Sequence, residues 1–537
     1  MKMQQGSSSP LGTLVQRRWK SGPVTRLLPA PLPALLPGLA FLILLASAWS
    51  LLACRPEAVP ERGLALRDTN ILLVVVDTLG ASYVGALARQ TAMGDPAAAT
   101  TSPTPNLDRL ARQGVLFRRA YSTAPWTQPS LASLLTGKMP SSHGLTRLFD
   151  VLKGEELSLP ERLQAEGYDT AAVVGHDLLG APYGFDQGFN EFDETSARGH
   201  RGTNSQRITD LSLNWLKNRS PRKPFFLMAH YFDPHFVYQH HPEHDRTSGY
   251  RGHLTPGMNI WDLRNQRQNL EKADLDYLRG LYQEEIAHTD LHIGRLLEGL
   301  DEADSKRPTL VIVTADHGEE FMEHGWIGHT RSLYDELLHV PLIFHLPSVL
   351  APAEVGVPVS LVDIFPTVSA GLRPKEPGQA SVEELDGQSL WPLLSMGVSA
   401  GPRVSAGAVS SRLGENSAAE SALEKERLEQ RQIIAEVSFE VGRDKLDRHG
   451  EKVVFGTALF AGELKMIHDL IAETWQLFDR SLDPGELTPL SASHSQFRDL
   501  QSDLLRWERG RSKASSSERR TPSTEELERL RSLGYLR

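Results

Sequence analysis

An α/β sandwich with a largely parallel central sheet and a smaller C-terminal subdomain is the fold that this sequence predicts. Three observations carry the prediction. Short β-branched apolar runs recur along the chain, helical or loop-like stretches separate them, and three of the runs end in metal-type or titratable residues. At 537 residues, 40% of them hydrophobic and 23% charged, the chain can bury a large core.

Residues 1–54 come first. Arg17, Arg18, Lys20 and Arg26 precede an uncharged, mostly apolar run from Leu27 to Ala53, which is the order of a secretory signal. The run ends in Leu51-Leu52-Ala53-Cys54, which resembles the lipobox of bacterial lipoproteins, whose cysteine is lipidated and becomes the first residue of the mature chain. An uncleaved transmembrane anchor is the alternative, because the run is long enough to span a bilayer. Either reading ties the protein to a membrane of the bacterial cell envelope, with the remainder facing outside the cytoplasm. Cys54 is the only cysteine, so an internal disulfide framework and a Cys-based zinc cluster are excluded.

After a polar, proline-containing linker over 55–68, residues 69–396 read as the main domain. Asn70 to Asp77 is a continuous β-branched run, as expected for a parallel strand covered on both faces. Pro105 to Gly114 reads as a helix, with Pro near its start and Gly after its end. Further strands are expected over Thr170 to Val174, Pro224 to Met228 and Thr309 to Thr314. Residues 397–430 turn to Ser, Ala, Gly and Glu, the composition of a flexible insertion. A C-terminal subdomain over 431–510 carries strand patterns at Lys452 to Leu459 and Leu464 to Ile467. The polar tail over 511–537 is expected to be mobile from Arg511 to Ser523 and helical from Thr524 to Leu533. The net charge of −10 and pI near 6.0 argue against general nucleic-acid binding, because phosphate backbones attract basic surfaces.

Chemistry collects at strand ends. Val76 is followed by Asp77, Thr314 by Ala315-Asp316-His317-Gly318, and Met228 by Ala229-His230-Tyr231-Phe232-Asp233-Pro234-His235. In open α/β sheets ligands bind beyond the carboxyl ends of the strands, so these residues can converge. Two carboxylates and an imidazole suit a divalent metal; the bland alternative is that each acid caps the next helix. In Ala124 to Gly137, Pro129 fits a first helical position and Leu131, Leu134 and Leu135 form an apolar face, which puts Thr127 just before a helix N-terminus that favours an anion. A threonine hydroxyl needs a base or a metal to become a nucleophile, and a plain cap reads equally well from these residues. His240, His241 and His244 sit in a polar loop and read as solvent-facing.

Taken together, the motifs NILLVVVDTLG (70–80), TPNLDRLARQGVLFRRAY (104–121), Ala124 to Gly144, PFFLMAHYFDPHFVY (224–238), Thr309 to Pro341, SLVDIFPT (360–367), LDGQSLWPLL (385–394) and QLFDRSLDPGE (476–486) resemble the sulfatase family of the alkaline-phosphatase superfamily. The resemblance implies an alkaline-phosphatase-like sandwich with a small C-terminal antiparallel sheet, and covalent catalysis on a phosphate or sulfate ester, an anionic substrate. By position it implies Asp77, Asp316 and His317 as ligands of one divalent cation (Ca, Zn, Mn or Mg) and Thr127 as the nucleophile and a further ligand. His235 and His329 would contact the nonbridging or leaving oxygens. His176 and Asp233 are weaker matches for substrate contact, and Asp233, His235 and His329 are an alternative second metal site.

The departures from the family pattern shape the expectation. Sulfatases convert a Cys or Ser in Cys-x-Pro-x-Arg to formylglycine, whereas this chain has Thr127, Gln128, Pro129, Ser130 and Leu131. Threonine cannot become formylglycine, and Leu131 brings no guanidinium. The usual second aspartate is Thr78. The set resembles threonine-using phosphotransferases and phosphodiesterases of the same superfamily, so a hydrolase working through a covalent Thr127 ester is expected. An envelope transferase of phospho-substituents and a catalytically silent binding protein on the same scaffold are the alternatives.

Overall fold

In the computed structural model, the described residues are 66–88, 102–197, 204–303, 307–347, 349–372, 384–394, 422–439, 454–511, 518–533 and 535–536. The leader, Cys54 and most of the linker lie outside them, as does the insertion up to residue 421. Among the described residues, no helix is long and apolar enough to cross a membrane.

Eleven strands run through the main domain in chain order: β1 (Asn70–Val76), β2 (Val115–Tyr121), β3 (Asp169–Val174), β4 (Glu191–Asp193), β5 (Phe225–Tyr231), β6 (Thr309–Ala315), β7 (Glu320–Phe321), β8 (Ile327–Gly328), β9 (His339–His345), β10 (Ala353–Val355) and β11 (Val359–Ser360). Nine of them form one sheet in the order β10-β2-β9-β6-β1-β5-β3-β4, with β11 also pairing with β2. The central strands β3, β5, β1 and β6 are parallel, and β9 runs antiparallel between β6 and β2. Every residue of β1 and of β5 is buried, because helices cover both faces of a parallel sheet and both sides of the pleat must be apolar. β5 runs to Tyr231, three residues past the expected end at Met228, so His230 belongs to the strand and not to the loop after it.

The C-terminal subdomain is an antiparallel sheet in the order β12 (Ile433–Phe439), β13 (Val454–Ala461), β14 (Leu464–Asp469), β15 (Thr474–Asp479). Strand alternation divides its side chains between two cores. Ala458, Phe460 and Phe478 pack with Tyr121 and Leu338 of the main domain, while Leu459, Met466 and Leu477 pack on Leu500 and Leu504 of the helix Phe497–Gly510. Lys465, fully buried, is held 2.8 Å from Asp335 of the main domain and 2.8 Å from Glu486 of its own subdomain; the Asp335 pair, with the Asp335 amide donating to Glu486 at 2.9 Å, pins the subdomain to the main domain.

Two segments depart from the sequence-based expectation. Residues 422–430, at the end of the expected insertion, are helical, which fits the charge-rich stretch Glu424 to Arg431 read as a solvated helix or disordered, but Leu428 is buried. Residues 518–520, expected to belong to a mobile tail, lie against the main domain: the Val151 amide donates to the Glu518 carbonyl at 3.0 Å, and the Arg520 amide to the Phe149 carbonyl at 3.1 Å. The helix Thr524–Ser532 then buries Leu530, and Leu533 and Tyr535 follow it into the core. A single apolar side chain per turn on a short helix is too weak a sequence signal to reveal docking of this kind.

Candidate active site

The site forms at the carboxyl ends of β1, β5 and β6. β1 delivers Asp77, and the next residue, Thr78, adopts φ 56°, a conformation a β-branched residue rarely takes. That bend lets the Thr78 amide donate to Asp316 Oδ1 at 3.1 Å, which ties the two strand ends together. Gly318, after the Asp316-His317 pair, has no room for a side chain, since a Cβ there would stand 2.0 Å from the Glu336 carbonyl oxygen.

Thr127 opens the helix Thr127–Thr136, with Trp126 as its N-cap. Pro129 therefore takes the third helical position and not the first, which costs no hydrogen bond because the first-turn amides have no intrahelical partner. Ser130 Oγ donates to the Asp316 carbonyl at 2.7 Å and fixes the helix start against the β6 loop. Thr127 Oγ1 consequently lies 3.3 Å from His317 Nε2.

Asp77, Asp316, His317 and His230 are all fully buried. His317 Nε2 is 3.4 Å from Asp316 Oδ2 and 3.8 Å from Asp77 Oδ1, and His230 Nε2 is 3.7 Å from Asp77 Oδ2. Both oxygens of Asp77, Asp316 Oδ2 and both nitrogens of His230 have no hydrogen-bond partner among the described residues. Burial, and next the neighbouring Asp316 charge, pushes the Asp77 carboxyl well up. Burial, and next His317, pushes His230 down to about 3. Orphaned buried carboxylate oxygens facing imidazole nitrogens are costly alone and suit a divalent cation. Asp77, His230 and Asp316 have ligand atoms close enough to share one ion. His230, which the sequence places after the strand without assigning it a ligand role, stands inside β5 and turns toward Asp77.

Above this cluster stand His176, His235 and His329, and among them the hydroxyl of Tyr535. That oxygen is 3.2 Å from His176 Nε2, 3.3 Å from His235 Nε2, 3.4 Å from His329 Nε2 and 3.4 Å from Thr127 Oγ1. Burial, followed by the Asp77 charge, pushes the phenol well up, so it is neutral. Nothing in the C-terminal tail sequence marked Tyr535.

Hydrogen bonds on the far side of each ring set its tautomer. Nδ1 of His235 is 2.6 Å from the Phe236 carbonyl and Nδ1 of His317 is 2.9 Å from the Gly318 carbonyl, so each carries its proton there and turns a lone pair on Nε2 inward. His329 Nδ1 is 2.9 Å from Glu319 Oε1, whose carboxyl burial pushes well up, and the Tyr238 hydroxyl donates to the other Glu319 oxygen at 3.0 Å. His176 is the reverse: its Nδ1 accepts from the Leu178 amide at 3.0 Å, leaving Nε2–H for the site. Burial, then the His317 and His235 charges, pushes His329 well down.

Of the residues expected from the sequence, Asp77, Thr127, His176, His235, Asp316, His317 and His329 come together. Asp233 does not join them, because its carboxylate accepts the Asn204 and Ser205 amides at 2.5 and 2.8 Å, at the start of the helix Ser205–Asn218. Cys54 lies outside the described residues. Leu131 is buried core; a positive charge that bears on His329 comes instead from buried Arg264, whose guanidinium lies 5.6 Å from the Phe236 ring centroid and whose Nε donates to the Ile327 carbonyl at 2.8 Å.

The family whose sequence model matches the chain, over residues 69–372, is described as Sulfatase. N-acetylglucosamine-6-O-sulfatase of Bacteroides thetaiotaomicron is 25% identical over 376 residues, 54% of this chain and 66% of that protein. The multifunctional alkaline phosphatase superfamily protein PehA of Trinickia caryophylli is 27% identical over 416 residues, 61% of this chain and 77% of that protein. The chain thus spans about two thirds to three quarters of the length of these curated relatives. Among solved structures, the phosphonate monoester hydrolase of Agrobacterium radiobacter superposes with a TM-score of 0.60 at 20% identity, covering 83% of this chain and 96% of that chain. The likeness to that structure establishes the fold.

Proposed function

Because the chain belongs to the sulfatase family, we propose that it is a metal-dependent hydrolase of sulfate or phosphate esters, anchored in the cell envelope, with Thr127 as its nucleophile. One observation carries the reading: Thr127 Oγ1 sits 3.3 Å from His317 Nε2, beside a buried cluster in which both oxygens of Asp77 lack a hydrogen-bond partner among the described residues.

Asp77, Asp316 and His317, joined by His230, would hold the ion. A divalent cation held there would supply positive charge beside the Thr127 hydroxyl and so lower its pKa. Thr127 Oγ1 gives its proton to solvent. Thr127 Oγ1 then bonds to phosphorus or sulfur as the bond to the leaving oxygen breaks. His176 Nε2–H is oriented to donate to a nonbridging oxygen. Burial holds His329 neutral, so His235, whose Nε2 lone pair would repel an anion while neutral, is the imidazole that must be protonated to bind the ester and passes that proton to the leaving oxygen. The same imidazole, now neutral, takes a proton from water as the water oxygen bonds to phosphorus or sulfur; the bond to Thr127 Oγ1 breaks, and that oxygen regains from solvent the proton it gave up. Fixed charges and dipoles aimed at the developing negative charge supply most of the acceleration.

The Tyr535 phenol occupies the position that the mechanism needs for the ester oxygen. Substrate and Tyr535 therefore exclude one another, and productive binding requires the Tyr535 side chain to withdraw.

The test is Thr127→Ala assayed with aryl sulfate, aryl phosphate mono- and diesters and an aryl phosphonate, each metal added back in turn. Turnover is expected to fall at least 1,000-fold while metal content stays near that of the parent. Appreciable turnover in the variant would remove Thr127 from the nucleophile's role.

A further inference from the structure

A second group of ligand-type side chains lies on the other side of the loop that carries His235. The loop continues through His240 and His241 into the short 3-10 turn Pro242–His244, and it packs on the long helix Lys272–Ala303. Glu284, Glu285, His288 and His292 recur on the helix at the three- and four-residue spacing of one face.

His241, expected to face solvent, is buried. Its Nε2 meets Glu285 Oε2 at 2.9 Å, and the other oxygen of that buried carboxylate accepts the Gln239 amide at 2.7 Å. A carboxylate on one ring nitrogen fixes the imidazole and frees the other nitrogen as a donor pair, the arrangement that usually backs a metal-bound histidine. The freed Nδ1 of His241 points at Glu243 Oε1, 3.7 Å away, and His288 Nδ1 lies 3.5 Å from the same oxygen. His288 stacks on His241 with ring centroids 4.2 Å apart. Apart from the long contact of Nδ1 with Glu243, its ring nitrogens, which are shielded from solvent, have no hydrogen-bond partner among the described residues, and neither has Nε2 of neighbouring His244. An imidazole nitrogen shielded from solvent and left without a partner, as Nε2 of His288 is, is destabilising unless something else takes it up.

The adjacent cluster of His240, Asp245 and Glu284 makes an instructive contrast. Glu284 there accepts from the His241 amide at 3.0 Å, the Arg246 amide at 2.7 Å and Thr247 Oγ1 at 3.1 Å, besides meeting His240 Nδ1 at 2.8 Å. Those oxygens are satisfied by protein, and that cluster requires no ion.

We propose that His241, His288 and Glu243 form a second metal site, distinct from the one at Asp77 and Asp316. Their ligand atoms all lie within 4.8 Å of one another. Two imidazoles and one carboxylate select a borderline transition metal, zinc foremost, over calcium or magnesium, which require oxygen shells. The Glu243 side chain is 52% exposed, so the ion reaches the site from solvent, and water or His244 completes its coordination. Bound there, zinc cross-links the loop to the helix and stiffens the chain leading back to His235.

The experiment isolates this site by working in the full-length Asp77→Asn protein without an affinity tag, where the first site is disabled. Zinc alone is titrated by calorimetry, and cobalt is substituted to read its visible absorption. One zinc per chain is expected, with cobalt bands in the visible range of a four-coordinate site. Adding His288→Gln should abolish binding, and adding Glu243→Gln should weaken it at least tenfold. Since Glu243 is half-exposed, that variant guards against a fold defect at His288. Zinc binding of equal stoichiometry and affinity in all three proteins, or none in the Asp77→Asn parent, would overturn the proposal.

Discussion

The Tyr535 hydroxyl lies 3.4 Å from Thr127 Oγ1, although 408 residues separate them along the chain. The contact has anchors on both sides. Arg529 Nε meets Asp177 Oδ2 at 3.1 Å, and the Trp261 indole N–H donates to the Leu536 carbonyl at 3.0 Å. Displacing this segment consumes part of the substrate's binding energy, as any equilibrium favouring a closed state does. Tyr535→Ala, and a chain ended at Leu533, should each raise kcat/KM toward aryl esters by about tenfold or more. Initial rates measured below KM check this, and a fall in rate would instead make Tyr535 a part of the working site.

Removal of the ion at Asp77 and Asp316 should change stability as well as turnover. Without a cation, burial and then the Asp316 charge penalise the Asp77 carboxylate, so Asp77→Asn should stabilise chelator-treated protein by on the order of 1–3 kcal/mol. With cation present the order should reverse, because the variant has lost a ligand. Thermal unfolding of both proteins with chelator and with added cation shows whether the curves cross; parallel curves would argue against an ion between these carboxylates.

Glu436 on β12 offers a pH test away from catalysis. Its side chain accepts from Ser141 Oγ at 2.7 Å, and burial pushes its carboxyl up to about 7. The folded chain therefore keeps a proton that the unfolded chain has lost. The stabilisation is complete below about 4.5, the ordinary range for this group, and disappears as pH rises through about 7. Glu436→Gln does not titrate, so its stability relative to the parent should climb between pH 5 and 8 by on the order of 1–3 kcal/mol. Denaturant unfolding at three pH values measures the slope.

Membrane attachment rests on Cys54. If the segment ending there is a lipoprotein signal, Cys54→Ser should abolish incorporation of a labelled fatty acid and leave an uncleaved precursor. Unchanged size and membrane retention, with no label in the parent, would favour the uncleaved anchor.

Much of the scaffold was legible because its signal is local. An apolar run such as Ile71 to Val76 has to lie in the middle of a covered sheet, and a residue that follows such a strand, as Asp77 and Asp316 do, has to emerge at its carboxyl edge. The helix beginning at Thr127 was readable from Pro129 and the leucines after it, to within two residues. β2 and β9 were harder, since Arg118 and Arg119 interrupt the apolar run of β2 and β9 begins and ends with histidine.

By itself, then, the sequence determined the α/β sandwich, the C-terminal sheet and the strand ends on which chemistry could be mounted, because hydrophobic periodicity and turn residues act over a few residues. Only the tertiary structure decided which groups meet: His230 turning inward from within β5, Asp233 committed to two backbone amides, His241 buried against the long helix, and Tyr535 set among three histidines. Such contacts depend on how distant segments dock. Docking is decided by the summed burial and pairing of many side chains, which no short stretch of sequence contains.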